Sequence, residues 1–238
     1  MNVIILAAGL GSRLYPLTKD TPKCLLKINK DNSILDHNLS IIRDLNFADS
    51  IKIVVGFEAQ KIIDAVIDAD IVINPFFRRT NSIASLWFCR EFLNDGVIIM
   101  NGDVCFSTEA LQMVLNHNKA NFVVLDKSHK CTDADYKIVV ENGLVSNMGK
   151  TIPFDNYCGE YAGITHLDKD GASLLRKKID AMMLQENYDT WYETALVELV
   201  KENSLELSYL DISGQKWVEV DAIKDLEYLR QQIAGSFQ

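Results

Sequence analysis

The chain has 238 residues, is 48% hydrophobic and carries a formal net charge of −9, from 33 acidic against 24 basic residues. That length supports a sizeable core, and the acidic balance excludes a general nucleic-acid or anionic-membrane binder, so any anionic ligand must be met by cations gathered locally. The five cysteines (Cys24, Cys89, Cys105, Cys131 and Cys158) are scattered and never form CxxC, no apolar run reaches a membrane span, and Met1 leads directly into a strand, which together predict reduced thiols and a cytoplasmic location.

Short apolar runs at Val3–Leu6, Ile51–Val55, Ile71–Ile73, Val97–Met100 and Phe122–Leu125 alternate with longer amphipathic stretches, the pattern of buried parallel strands joined by helices. A helix is expected to start at Asn81 or Ser82, either of which can cap it, and to run through SIASLWFCREFL with Ile83, Leu86, Trp87 and Phe92 as core positions. In KIVVENGLVSNMGK, Asn142-Gly143 lies between two β-like runs, a signal for a two-residue hairpin, so an antiparallel excursion interrupts the winding. Strand-like EYAGITHL, helical stretches around 169–186 and 190–202, and a strand-helix pair in WVEVDAIKDLEYLRQQ close the chain. With no repeat or low-complexity linker, the whole of 1–238 reads as a single α/β domain. Its expected architecture is a modified doubly wound, Rossmann-like, mostly parallel sheet with an antiparallel hairpin insertion.

The first strand runs into LAAGLGSRL. A dinucleotide-binding turn would place a third glycine at Leu14, and a Walker loop would need GxxxxGK[ST], so neither applies. What remains is GxGxR after a strand. Gly9 and Gly11 let backbone N–H groups approach a ligand, and Arg13 offers a fork of donors matched to phosphate oxygens; a tight turn with a solvated arginine is the competing interpretation. Lys23 follows ten residues later, presented behind Pro22.

Taken together, LAAGLGSRLYPLTKDTPKCLL resembles the signature of the sugar-phosphate nucleotidyltransferases and related cytidylyltransferases, approximately LAAGxGxRLxPLTxxxPKxLL. More weakly, VVGFEAQKI resembles that family's second-strand segment, NGDV its metal-binding strand end, and WVEVDAIKDLEYL its closing motif. The resemblance implies in-line attack by a phosphate-type oxygen on the α-phosphorus of a nucleoside triphosphate, with pyrophosphate expelled. Two unit charges 4 Å apart repel by about 1 kcal/mol in water and about 4 kcal/mol in a partly closed site, so fixed cations are needed. The resemblance places Arg13 over the leaving β- and γ-phosphates and Lys23 near the α-phosphate. An acceptor phosphate is already ionised, so no protein nucleophile or general base is required, and His37, His117, His129 and His166 are expected to be structural or exposed.

Asp103 follows the run VIIMNG, where a strand's carboxyl end faces the crevice used by open α/β sheets, and Asp221 ends WVEVD before a helix that it would otherwise cap. The resemblance makes both ligands of Mg²⁺, which favours one or two carboxylates with phosphate oxygens and water. Asp225 fits an exposed first-turn acid. Leu6, Ala8, Gly9, Gly11, Ser12 and Gly102 are expected at the nucleotide. RRTNSIASLWFCREFL resembles the TNNxxSLxxAREYL stretch of small cytidylyltransferases more than the QPxGLAxA stretch of thymidylyl and uridylyl enzymes. CTP is the implied nucleotide, with Asn81, Ser82 and Ser85 at its base or ribose; capping competes for the first two.

For the acceptor, Glu160 and Tyr161 in NYCGEYAGITHL and Tyr188, Trp191, Tyr192 and Glu193 in YDTWYETAL combine aromatics with carboxylates, a combination suited to an ammonium group. A core role competes for Trp191 and Tyr192. The implied acceptors are small: phosphocholine, an aminoalkylphosphonate or a phosphorylated amino acid such as phosphoglutamine, the last two from branches that decorate surface polysaccharides. A sugar-1-phosphate uridylyl- or thymidylyltransferase is the alternative. A metal-dependent glycosyltransferase fits less well, since Asn101-Gly102-Asp103 is not DxD, and a non-catalytic sensor would be expected to lack one of Arg13, Lys23, Asp103 or Asp221. No nucleic acid or membrane partner is expected, and a homodimer is left open.

Overall fold

The structure, a computed structural model, describes residues 1–133 and 135–234. In chain order the strands are β1 (Asn2–Ala7), β2 (Ser50–Val55), β3 (Asp70–Ile73), β4 (Val97–Asn101), β5 (Val104–Phe106), β6 (Phe122–Asp126), β7 (Lys137–Glu141), β8 (Leu144–Gly149), β9 (Gly159–Leu167), β10 (Ser208–Asp211) and β11 (Trp217–Glu219). The helices are α1 (Ile34–Leu45), α2 (Ala59–Ala65), α3 (Ser82–Phe88), α4 (Thr108–Asn116), α5 (Lys169–Leu184), α6 (Tyr192–Lys201) and α7 (Ile223–Ala234). None is long and apolar enough to cross a membrane.

The main sheet has the order β10-β6-β9-β4-β1-β2-β3, with the β7–β8 hairpin attached to β9. Strands β1, β2, β3 and β4 are mutually parallel where paired, as are β6 and β10, whereas β9 runs antiparallel to both β4 and β6. Residues alternating along β1 feed different cores: Val3 and Ile5 pack on one face with α1 and α4, Ile4 on the other with α3, α5 and α6. This two-sided burial is why the central strands read as unbroken apolar runs. At the edge, β3 leaves Ile73 50% exposed. Asn142 (φ 52°) and Gly143 (φ 81°) form the tight turn of the hairpin, in the left-handed region that Asn-Gly tolerates.

Two expected elements differ. The helix from Ser82 stops at Phe88, and a 3₁₀ turn carries Arg90–Phe92, because Cys89 (φ −101°, ψ 7°) leaves helical geometry and gives its N–H to the carbonyls of Leu86 and Trp87. Arg90 holds the break, with its guanidinium 4.0 Å from the Trp87 ring centroid and donating to the Trp87 carbonyl. Trp87 and Phe92 are therefore only partly buried against the core. The closing strand β11 does not join the main sheet; it pairs antiparallel with β5 in a separate two-stranded ladder. A third apolar cluster, with Leu14, Ile28, Val220, Leu226 and Leu229, packs this ladder and α7 against the segment after the first loop.

Candidate active site

Parallel pairing of β1 with β4 sets Leu6 beside Asn101, so the glycine loop and Gly102-Asp103 leave the sheet together at the crevice where strand order reverses. Gly102 permits this close approach: its N–H donates to the Leu6 carbonyl at 2.9 Å, and a Cβ there would lie 2.8 Å from the same oxygen. Gly11 (φ 62°) turns the loop, and its carbonyl accepts from the Thr18 hydroxyl at 2.8 Å. Asp221 arrives from the far end of the chain. In the β5–β11 ladder Glu219 lies opposite Val104, and the Val220 N–H donates to the Asp103 carbonyl at 2.9 Å.

The result is a compact charge cluster. Lys23 Nζ donates to Asp103 at 2.8 Å and to Asp221 at 2.7 Å, and Arg13 reaches the other Asp221 oxygen at 2.7 Å. Burial alone would lower the Lys23 ammonium, but the two carboxylates outweigh it and hold it above its ordinary value. Burial likewise opposes the Asp221 charge, yet Lys23 and Arg13 bring its carboxyl down. Glu219 completes the set: it, Asp103 and Asp221 each offer an oxygen within 4.8 Å of the others. Burial, then Asp103 and Asp221, push the Glu219 carboxyl well up. Three hard oxygen donors this close together fit a divalent cation that also takes phosphate oxygens.

Asp221 does not cap α7 with its side chain. Asp225 does so, accepting from the N–H groups of Asp221 (3.1 Å) and Ala222 (2.6 Å), so it is a partly buried cap and not the exposed acid expected.

A cleft of about 340 Å³ opens over this cluster. Leu6, Ala8, Gly9, Gly11, Ser12 and Gly102 line it beside Arg13, Lys23, Asp103 and Asp221. Asn81, Ser82 and Ser85 line another wall. There Asn81 caps α3 by accepting the Ser82 N–H at 2.8 Å, while the Ser82 hydroxyl accepts the Tyr192 N–H at 3.0 Å. Ser85 is buried and accepts from Asn74 at 3.0 Å.

The six residues expected at the acceptor separate. Tyr161, Trp191 and Glu193 line the cleft. Tyr192 is fully buried, its hydroxyl 2.6 Å from that of Tyr161 and 3.1 Å from that of Thr165, so it belongs to the core. Glu160 precedes Tyr161 on β9 and, by strand alternation, faces a second cavity. Tyr188 contributes its carbonyl to the Asn81 N–H at 3.0 Å.

Among the cleft residues that were not anticipated, three carry ionisable or aromatic side chains next to the expected ones: Glu219, Tyr136 and Lys150. Glu219 had a signal, its two-residue spacing from Asp221 along a strand. Lys150 follows the β8 run, and Tyr136 precedes β7, with nothing local to mark either. Tyr136 stands edge-on to Trp191, ring centroids 5.9 Å apart, and Lys150 Nζ lies 5.7 Å from the Trp191 centroid. Glu193 Oε2 is buried with no hydrogen-bond partner among the described residues, and burial pushes its carboxyl up to about 8.

Fixed cations and hard acids at the carboxyl edge of a doubly wound sheet define an enzyme acting on nucleoside phosphates. The chain belongs to the nucleotidyl transferase family, which it matches over residues 2–140, and is a nucleotidyl-transferring enzyme. It is 26% identical to the CTP:phosphoglutamine cytidylyltransferase of Campylobacter jejuni over 95% of this chain and 98% of that protein. It is 35% identical to the choline-phosphate cytidylyltransferase of Haemophilus influenzae over 54% of this chain and 55% of that one. The solved CTP:phosphocholine cytidylyltransferase of Streptococcus pneumoniae superposes with a TM-score of 0.78 at 21% identity, covering 98% of each chain, which shows a shared fold.

Proposed function

We propose that the protein is a cytidylyltransferase, acting as one domain in the cytoplasm, that transfers CMP from CTP to a small acceptor bearing a phosphate or phosphonate and a cationic nitrogen. The carrying observation is Glu193: an unpartnered buried carboxyl oxygen in the same cleft as Trp191, Tyr136 and Tyr161, and as the phosphate-directed cations Arg13 and Lys23. An ammonium between an aromatic face and that carboxylate gains roughly 0.5–2 kcal/mol from the ring, and a neutral hexose gains nothing from either charge. The end-to-end similarity to a CTP-dependent relative supports the choice of nucleotide.

In this mechanism the first loop and the wall at Asn81, Ser82 and Ser85 receive the nucleotide. Arg13 and Lys23 exchange their carboxylate partners for phosphate oxygens: Arg13 neutralises the departing pyrophosphate, and Lys23 lies at the α-phosphorus. The acceptor oxygen, already ionised, forms the new bond to the α-phosphorus as the bond to the bridging oxygen of pyrophosphate breaks, so no side chain has to remove a proton. Asp103, Glu219 and Asp221 are the residues that would hold Mg²⁺, which when bound supplies charge neutralisation to the phosphate oxygens.

A pyrophosphate-release assay comparing phosphocholine, 2-aminoethylphosphonate, phosphoglutamine and glucose 1-phosphate, each with CTP and UTP, tests this. With CTP, kcat/KM for the best amine-bearing acceptor should exceed that for glucose 1-phosphate at least tenfold, about 1.4 kcal/mol. Faster turnover of glucose 1-phosphate with UTP overturns it in favour of a sugar nucleotidyltransferase.

A further inference from the structure

The second cavity, about 510 Å³, shares Arg13, Glu219 and Asp221 with the main cleft but has a cluster of its own behind β9. His129 and Asp135 come from the segment joining β6 to β7, and Glu160 from β9. One ligand atom from each lies within 4.8 Å of the others, and His129 Nε2 is 3.3 Å from Glu160 Oε2.

The contrast with Asp126, the residue opposite Glu160 in the β6–β9 pairing, is informative. Asp126 is saturated: one oxygen accepts from the Ser128 N–H (2.7 Å), the Ser128 hydroxyl (2.6 Å) and the Ser213 hydroxyl (3.1 Å), the other from Trp217 Nε1 (2.9 Å). Glu160, its side chain only 5% exposed, has an Oε2 with no hydrogen-bond partner among the described residues. The His129 ring nitrogen lies 3.3 Å from it without hydrogen-bond geometry, and a buried carboxyl oxygen in this state is destabilising until a cation meets it. Asp135 is already oriented, since its Oδ2 accepts the Thr132 N–H at 2.6 Å.

We propose that His129, Asp135 and Glu160 form a second metal site, separate from the Asp103–Glu219–Asp221 cluster, that takes a zinc-like divalent ion and ties His129 and Asp135 to β9. An imidazole with two carboxylates selects a borderline ion over Mg²⁺, which prefers oxygen and water. Zinc bonds of about 2.0–2.2 Å in tetrahedral geometry separate neighbouring ligand atoms by about 3.4 Å, and the observed nitrogen-to-oxygen distance is 3.3 Å. Burial, then Asp135 and Asp126, push the Glu160 carboxyl up to about 8, and a cation at this point removes that repulsion. Next to Asp135 is Tyr136, whose carbonyl accepts the Tyr161 N–H at 2.7 Å and whose ring lines the catalytic cleft. The site thus holds one wall of that cleft in place.

Chelator-stripped enzyme titrated with Zn²⁺ under excess Mg²⁺, which occupies the other cluster, provides the test. Wild type should bind one more equivalent than His129→Ala, or bind it about 100-fold more tightly or better, a loss at least as large as those seen for outer-shell changes at metal sites. His129 is half exposed, so its replacement leaves the fold intact; circular dichroism checks this, and Glu160→Gln gives an independent removal of the buried ligand. Zinc should also raise the melting temperature of wild type and leave both variants unmoved. Equal stoichiometry and affinity in wild type and both variants, or no zinc bound below millimolar concentration, overturns the site.

Discussion

At the scale of single residues, Lys23 is the pivot, because it donates to both Asp103 and Asp221, two of the residues proposed to hold the metal ion. Lys23→Ala should lower kcat about 10²-fold or more, on the order of 3 kcal/mol, as expected when a preorganised donor to the transition state is lost. With the competing ammonium gone, half-saturation by Mg²⁺ should also fall to lower concentration. Near-normal turnover removes Lys23 from the chemistry. Asp221 and Asp225 divide two roles that one residue was expected to choose between. Asp221→Asn should abolish metal-dependent turnover with little change in melting temperature, whereas Asp225→Ala should cost about 1 kcal/mol of stability by loss of the cap and leave kcat nearly unchanged. The reverse pattern reinstates Asp221 as the cap. Glu193 adds a pH signature. Its carboxyl ionises near 8 in the fold against an ordinary 4.5, so the folded protein holds this proton more tightly, and the group becomes increasingly destabilising as pH rises through that interval. Glu193→Gln should therefore stabilise the protein more at pH 8 than at pH 5. Binding an amine-bearing acceptor should release a proton in wild type and not in Glu193→Gln, as read by calorimetry in buffers of different ionisation enthalpy.

At the scale of elements, the strands plainest to read in advance were the central ones, buried over most of their length on both faces. β1, β2, β4 and β6 are runs of Val, Ile, Leu and Met with few alternatives to burial. β5 was not legible: three residues, VCF, directly after Asp103, pair with a strand more than a hundred positions away. That pairing is what brings Asp221 to Asp103, and α7 supports it through Leu226 and Leu229, both fully buried. Leu226→Ala should cost about 2–5 kcal/mol and lower turnover disproportionately at temperatures near the transition, because the first contact to loosen carries Asp221, one of the proposed metal ligands. Denaturant melts run beside activity measurements separate the two effects; loss of stability with wild-type activity up to the melt means the ladder holds without α7. On β9, Gly163 (φ 78°) has no room for a methyl group, since a Cβ would lie 2.8 Å from Val104 Cγ2. Its positive φ appeared in no sequence pattern, because it follows from the irregular pairing of β9 with its neighbours.

At the scale of the whole molecule, three carboxyls, Glu160, Glu193 and Glu219, are held above their ordinary ionisation range by burial and by neighbouring acids. Each makes the folded state bind protons more tightly, so their share of the stability should decline as pH rises from about 5 to 8, while His37, His117 and His166, which burial holds below the ordinary histidine range, act in the opposite sense as pH rises through that range; the two together should place the maximum melting temperature near neutrality or below it. Divalent ions should flatten the decline, since they replace those protons. A melting temperature that increases steadily from pH 5 to 9 in metal-free buffer contradicts this. The sequence by itself determined the family and the residues proposed to handle phosphate. The glycine loop, Arg13 and Lys23 lie within fifteen residues of one another, and Asp103 follows by two residues a strand too apolar to be anything but buried, so local chemistry was enough to single them out. It also carried the winding of the sheet and the Asn142-Gly143 turn. Only the tertiary structure decided the acceptor half. Glu160 and Tyr161 are neighbours in sequence but face opposite cavities, Tyr192 is drawn into the core while Trp191 and Glu193 beside it stay at the cleft, and Glu219 joins Asp103 across the β5–β11 ladder. The physical reason is the same in each case: which way a side chain faces depends on strand register and helix phase, and both are set by packing against segments that are remote in the chain.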